Sequence, residues 1–323
     1  MSQYIRRIRN YVFLIVFTGL LGQLTACSDQ QYASLYDQAL KSQRWFAGWQ
    51  PQSIHIDGIN VAYLDNQNFD AKQTLLFVHG YTGDKDMWNR LAYYLPSDYR
   101  MIALDLMGHG KTDQAPDNRY LLMNQAKLVN KFMNELNIDK AHLVGSSMGG
   151  ATSLLYSLHF PERVNSLTLM NSAGVHSMEE SEFEKAVESG RNPMVIKNLS
   201  DFENMMALIF HKAPWVPEGF KNVLTQRASE RYQHFQYVLS EIIHSANIWR
   251  ESGRIYGLMP SFKKPVLIVW GDDDRVLHPS SVAVFKEHLP QAQTHILKNT
   301  GHVPMLEKPD DTAKILVEFL AEI

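Results

Sequence analysis

Two hydrophobic rhythms alternate along the chain. Unbroken apolar runs that end at glycine or a polar cluster read as strands buried on both faces, and stretches with apolar residues three and four apart read as helices covering them. "SIHIDGINVAYL" predicts two short strands around an Asp57-Gly58 turn. "TLLFVHG" (Thr74 to Gly80) predicts a buried strand, "DKDMWNRLAYYLP" a helix stopped by Pro96, and "YRMIALDLMGHG" a second buried strand followed by a loop. "NRYLLMNQAKLVNKFMNELN" carries Leu121, Leu122, Leu128, Phe132, Met133 and Leu136 at helical spacing. "AHLVGSS" reads as a strand, "MGGATSLLYSLHF" as a helix ended by Pro161, and "VNSLTLMNSAG" as the next strand.

The alternation stops near Gly174. Residues 175–260 read as helical and irregular, rich in methionine and aromatics and broken by "HKAPWVPEGF". It then resumes with a strand in "KPVLIVWGDDD", a helix in "PSSVAVFKEHLP", a strand in "QTHILKNTGH" and a closing helix in "DDTAKILVEFLAEI". Strands alternating with helices predict a mostly parallel central sheet with right-handed crossovers, flanked by helices. The simplest organisation is an α/β core of residues 44–174 and 261–323, with residues 175–260 inserted as a helical cap.

Composition changes this picture little: 323 residues, 45% hydrophobic and 20% charged, are ample for one large core. A formal net charge of −3 with no long run of one sign argues against a nucleic-acid partner.

The amino terminus changes it more. Arg6, Arg7 and Arg9 precede an apolar run from Tyr11 to Gly22, which has signal-peptide length and is short for a spanning helix. The one cysteine, Cys27, closes "LTAC", which resembles a bacterial lipobox. That resemblance implies a lipoprotein signal peptide at 1–26, a diacylglyceryl group on Cys27 and an acylated new amino terminus. Several acyl chains anchor stably where one would be marginal. Residues 27–43 then read as a polar tether. In Gram-negative lipoproteins an Asp after the cysteine commonly marks inner-membrane retention, so Ser28 points to the outer membrane rather than the inner. The competing reading is a plain secretory peptide, or an uncleaved anchor, with an incidental cysteine.

The candidate chemistry begins at Gly145-Ser146-Ser147-Met148-Gly149, a G-x-S-x-G match set between a predicted strand and helix. A serine held in strained backbone at such a corner projects its hydroxyl outward. Side chains two before and two after it would collide with the neighbouring strand and helix. Ser147 has glycine at both places and Ser146 does not. The competing reading is a Gly/Ser turn with Ser147 as an N-cap. A serine nucleophile needs a base and a group orienting that base, both from loops at carboxyl ends of strands. "VLIVWGDDDRVLHP" offers acids after one strand and "ILKNTGHVPMLEKP" offers His302 after the last.

"FVHGYTG", "DLMGHGKTD", "LVGSSMGGA", "WGDDDRVLHP" and "NTGHVPMLEKP", in this order, resemble the α/β-hydrolase superfamily. They are most similar to family V bacterial lipases and esterases, relatives of ring-cleavage-product C–C hydrolases. The resemblance runs from about Ile54 to the C-terminus. It implies Ser147 as nucleophile, His302 as general base and then acid, and Asp274 as the group that orients the imidazole. Asp274 is preferred because the pattern strand-Gly-x-x-Asp-x-x-x-x-Pro, with Gly271 and Pro279, falls on it; Asp273 is the substitute. The backbone N–H groups of Tyr81 and Met148 would form the oxyanion hole. His79 would brace the His-Gly loop, and His109 would be structural.

The expected activity is hydrolysis of carboxylic esters, small or lipid, by a Ser-His-Asp acyl-enzyme mechanism. The alternatives are C–C bond hydrolysis on the same fold or a non-catalytic binding lipoprotein. Within the cap, Met205, Met206, Leu208, Ile209, Phe210, Trp215 and Phe220 could line an acyl pocket, but their helical spacing favours most of them simply packing the cap onto the main domain. Trp215 is singled out for contact with substrate or membrane. No HExxH, thiolate cluster, GxGxxG or Walker-type loop occurs, so neither a metal nor another cofactor is expected.

Overall fold

The computed structural model of the protein describes residues 28–117 and 119–323. The expected signal peptide and the expected lipidation site Cys27 lie outside the described residues. The first described element is a helix, α1, Asp29–Phe46, where the polar composition had suggested a tether. Its signal is local: the Ser28 side chain accepts from the backbone N–H of Gln31, whose own side chain accepts from that of Ser28. No residue of α1 is buried; Tyr32, Leu35, Tyr36, Leu40 and Phe46 recur at helical spacing but are only half-buried, in a segment rich in glutamine and charge. Long-range ion pairs, Arg44–Asp86 and Asp37–Arg227, hold it to the rest of the molecule.

Next come β1, Gln50–Ile56, and β2, Ile59–Asp65, an antiparallel hairpin pairing Ile56 with Ile59. Asp57 and Gly58 both take positive φ (49° and 86°), the turn that matches strand twist in a two-residue hairpin. The chain continues through β3, Thr74–Val78, a 3-10 turn at Lys85–Trp88, α2, Asn89–Tyr94, and β4, Arg100–Leu104. The single helix expected before Pro96 is thus split. After it come α3, Leu122–Glu135, β5, Ala141–Ser146, α4, Met148–His159, and β6, Val164–Met170. The inserted region holds α5, Glu182–Glu188, α6, Leu199–Ile209, α7, Glu218–Ser229, α8, Tyr232–Glu251, and α9, Arg254–Leu258. The core closes with β7, Val266–Gly271, α10, Ser281–His288, β8, Gln293–Leu297, α11, Pro304–Glu307, and α12, Pro309–Ala321.

The eight strands form one sheet in the order β1-β2-β4-β3-β5-β6-β7-β8, parallel from β4 to β8. Alternate side chains enter two separate apolar clusters, one on each face. Leu76, Val78, Ile102, Ile268 and Trp270 go to one, and Leu75, Phe77, Met101, Leu267 and Val269 to the other. Both faces being buried, these strands read as continuous apolar runs, with no polar alternation. The topology brings the carboxyl ends of β5, β6, β7 and β8 side by side, strands spaced roughly 4.8 Å apart. No helix among the described residues is long and apolar enough to cross a membrane.

Candidate active site

Ser147 stands at the corner between β5 and α4 with φ 55° and ψ −122°, a conformation non-glycine residues rarely adopt. Such backbone costs on the order of 1–3 kcal/mol and persists only where the surroundings enforce it. Here packing enforces it. A Cβ on Gly145 would sit 2.5 Å from the carbonyl oxygen of Gly149, and one on Gly149 would sit 2.2 Å from that of Val78. Gly150 is pressed against Ser172, its notional Cβ 2.2 Å from Oγ. Ser146, by contrast, is buried within the end of β5.

The loop after β3 comes up against this serine: a Cβ on Gly80 would lie 3.0 Å from Cβ and 3.5 Å from Oγ of Ser147. His79, fully buried, fixes that loop. Its Nδ1–H donates to the Gly80 carbonyl (2.8 Å), and its Nε2 accepts the N–H of Leu106 (3.0 Å). Burial pushes its pKa down, consistent with this neutral form. The next residue is Tyr81, which lines the same cavity as Ser147 and Met148. Met148 is the first residue of α4, where backbone N–H groups lack intrahelical acceptors and carry the positive end of the helix dipole. The Tyr81 hydroxyl reaches the inserted region, donating to the Phe235 carbonyl (2.5 Å) and accepting from Asn192 Nδ2 (3.0 Å).

Below the loop, Asp105 accepts from Lys85 Nζ (2.6 Å) and from the N–H groups of Lys85 and Lys111 (2.7 and 2.8 Å). This buried, multiply bonded charge ties β4 to the 3-10 turn. His109 is also buried, Nδ1 donating to the Met107 carbonyl, and burial pushes its pKa well down.

Asp274 follows β7 and His302 follows β8. His302 Nδ1 lies 2.9 Å from Oδ2 and 3.0 Å from Oδ1 of Asp274, with both side chains buried. Asp274 Oδ1 also accepts the N–H groups of Val276 (2.8 Å) and Leu277 (3.0 Å), while Oδ2 accepts Asn171 Nδ2 (2.7 Å). A carboxylate surrounded by donors is held in place. With Nδ1–H committed to it, the ring's Nε2 is left with its lone pair. Asp273, the substitute acid, pairs instead with His211 Nδ1 (2.8 Å) and Arg275 (2.9 Å) on the surface.

Sequence reasoning missed two residues of this cluster. Asn171, fully buried just beyond β6 with φ 43°, donates from Nδ2 to Asp274 and to the Gly301 carbonyl (3.2 Å). It also links the strand ends: Ser147 donates its N–H to the Met170 carbonyl (3.1 Å), one residue before Asn171. Glu307 is the second. Its two carboxylate oxygens accept the N–H groups of Gly301 (2.7 Å) and His211 (2.8 Å), and burial raises its pKa. The only sequence hint of either was its place, a polar residue immediately beyond a buried strand or on the short helix after His302.

The apolar cavity at Ser147 is walled by Leu155 and Ala173 from the core side and by Val175, Met194, Leu239, Ile242 and Trp249 from the inserted region. None of the seven cap candidates lines it, and most of them pack the cap as their spacing favours. Leu208 and Phe210 are buried, and Met205, Met206 and Ile209 pack on the core clusters. The reason is that α6 lies against the loop carrying His302, which donates its N–H to the Ile209 carbonyl (2.8 Å). Most of the inserted region's wall is supplied by α8. Phe220 packs edge-on to Tyr32 of α1, and Trp215 stands in solvent, 73% exposed.

A family model described as alpha/beta hydrolase fold matches residues 73–309. Lipase 1 of Psychrobacter immobilis is 32% identical over 257 residues, 79% of each chain. Among solved structures, a membrane phospholipase A described as a bacterial virulence factor superposes with a TM-score of 0.84 at 31% identity, over 100% of this chain and 99% of that one. The meta-cleavage product hydrolase of Pseudomonas fluorescens IP01 superposes with a TM-score of 0.72 at 24% identity, over 84% and 97%, a likeness of fold.

Proposed function

The chain belongs to the alpha/beta-hydrolase fold family and is a carboxylic ester hydrolase within it; we propose that it cleaves lipid esters through a covalent acyl-enzyme on Ser147. His302 Nε2 takes the hydroxyl proton as Ser147 Oγ attacks the ester carbonyl. Asp274 stabilises the imidazolium that forms. The N–H groups of Tyr81 and Met148 receive the developing oxyanion, each such donor being worth about 3 kcal/mol in the transition state. The imidazolium then protonates the leaving alcohol, and the same nitrogen activates the water that releases the acid.

The observation that carries this reading is that a strained, glycine-flanked serine and a carboxylate-oriented imidazole lie on one sheet edge, at the carboxyl ends of β5, β7 and β8. The apolar walls beside Ser147 suit an acyl chain. The similar Lipase 1 and membrane phospholipase A support a lipid ester as substrate. The two-part organisation, a core of 44–174 and 261–323 with 175–260 as its cap, belongs to the same proposal. So does the amino terminus, a lipoprotein signal peptide cleaved before a lipidated Cys27, holding the exported enzyme on the outer membrane.

Turnover of p-nitrophenyl esters of graded chain length, beside a vinylogous diketone ring-cleavage product, tests the reaction class. Ester hydrolysis without diketone cleavage is expected; diketone cleavage alone would overturn it. Mass analysis of the amino-terminal peptide tests the anchor, with a triacylated Cys27 expected.

A further inference from the structure

We infer that the Trp215 loop is the element by which the enzyme docks on a lipid bilayer, seating its indole at the headgroup level beside the anchored amino terminus. This rests on the membrane anchor proposed above and adds where, and through which residue, the folded enzyme meets the lipid.

Three observations converge. First, residues 211–215 are exposed without interruption, and Trp215 at 73% is the most exposed of the large apolar side chains among the described residues. Pro214 and Pro217 restrict the backbone on either side, so presenting the indole costs little further ordering.

Second, α7 runs parallel to α1. Tyr32 packs on Gly219 and Phe220, and five residues further along α1 Asp37 pairs with Arg227 (2.8 Å). Trp215 precedes Gly219 by four residues, a reach of at most about 14 Å. Ser28 precedes Tyr32 by four residues, about one helical turn, or roughly 6 Å. Trp215 and the start of α1 therefore share one end of the helix pair, and Cys27 is the residue before Ser28. A bilayer gripped at Cys27 lies against this end.

Third, the loop is continuous with the catalytic apparatus. On one side Ile209 accepts the N–H of His302, and His211 is bonded to both Glu307 and Asp273. On the other side lies α7, packed on α1. Lys212 and Glu218 balance each other across the loop, so recognition falls to the indole, whose apolar body and N–H suit the headgroup boundary.

The test uses the full-length lipidated chain in phosphatidylcholine vesicles, some carrying bromine at the top of the acyl chains. Flotation, tryptophan quenching and hydrolysis of the vesicle phospholipid are read for the wild type, Trp215→Ala and Trp45→Phe. Trp45 is 70% exposed but lies near the other end of α1. All three proteins are expected to float and to hydrolyse soluble p-nitrophenyl butyrate alike. Trp215→Ala alone should lose the bromine-quenched component and cleave vesicle lipid about tenfold more slowly. Flotation with the same quenching and vesicle activity in Trp215→Ala would overturn the docking while leaving the anchor intact. A wild type that does not float would overturn both. A Trp215→Ala protein that instead changes its oligomeric mass would assign the loop to a second copy of the chain.

Discussion

His302 and Asp274, 28 residues apart, meet through Nδ1 and a carboxylate whose two oxygens lie 2.9 and 3.0 Å away. The neighbouring acid Asp273 points instead at His211 and Arg275. Replacing Asp274 by Asn puts an amide where the ring needs an acceptor and favours the wrong tautomer, so kcat for a soluble ester should fall about 10³- to 10⁴-fold. Asp273→Asn should remain within a few-fold of wild type. Steady-state kinetics of the two variants decide the assignment, and a reversal of their order would move the role to Asp273.

Asn171 acts through Asp274. Removing its amide in Asn171→Ala frees one carboxylate oxygen and unties the Gly301 carbonyl, so the imidazole is less well held. Its φ of 43° adds backbone strain for alanine that glycine escapes. Asn171→Ala and Asn171→Gly should therefore share a kcat loss of about tenfold with KM little changed, while Asn171→Ala also melts at lower temperature. Equal kcat in wild type and Asn171→Gly would refute the positioning role.

Gly149 has no room for a side chain, with two backbone carbonyls within 2.3 Å of a notional Cβ. Gly149→Ala should cost about 3 kcal/mol of stability and most of the activity, because the corner that presents Ser147 must open. Gly257, in α9, has nothing within 4 Å of its notional Cβ. Gly257→Ala should be neutral or slightly stabilising. Chemical denaturation of the pair measures the contrast.

Asp84 caps the turn before α2 by accepting the N–H of Asp86. Burial first, then the charges of Asp86 and Asp105, raise its pKa to about 6. A carboxyl whose folded pKa exceeds its unfolded value holds its proton more tightly when folded. Its contribution is therefore fully present below the unfolded pKa of 3.8 and lost as pH rises through about 6. Asp84→Asn keeps the cap and removes the titration. Relative to wild type it should gain on the order of 1–2 kcal/mol between pH 4 and pH 7, less than the full conversion because the side chain is only partly shielded from solvent. Thermal melts across that range check the direction; a gap that narrows as pH rises would contradict it.

The core strands were legible because they are buried on both faces and bounded by Gly or Pro, and the corner at Ser147 because its glycines have a steric reason. Three things were not. The α1 helix has its apolar stripe, Tyr32, Leu35, Tyr36 and Leu40, diluted among glutamines and charges and only half-buried, and it is also held by Arg44 and Asp37, whose partners Asp86 and Arg227 are 42 and 190 residues away. The helical spacing of the cap candidates favours packing but does not show which other cap residues face the pocket; the packing of α6 against the His302 loop hands most of that wall to α8. Asn171 and Glu307 do their work through single hydrogen bonds between loops, which leave no period in the sequence.

The most direct test treats the protein with a fluorophosphonate and locates the adduct by peptide mass. One equivalent on Ser147 is expected, with Ser146 unmodified, Ser147→Ala unreactive and His302→Ala labelled at least a hundredfold more slowly. Stoichiometric labelling that survives Ser147→Ala, or no labelling of an enzyme that still turns over esters, would contradict the nucleophile at its root.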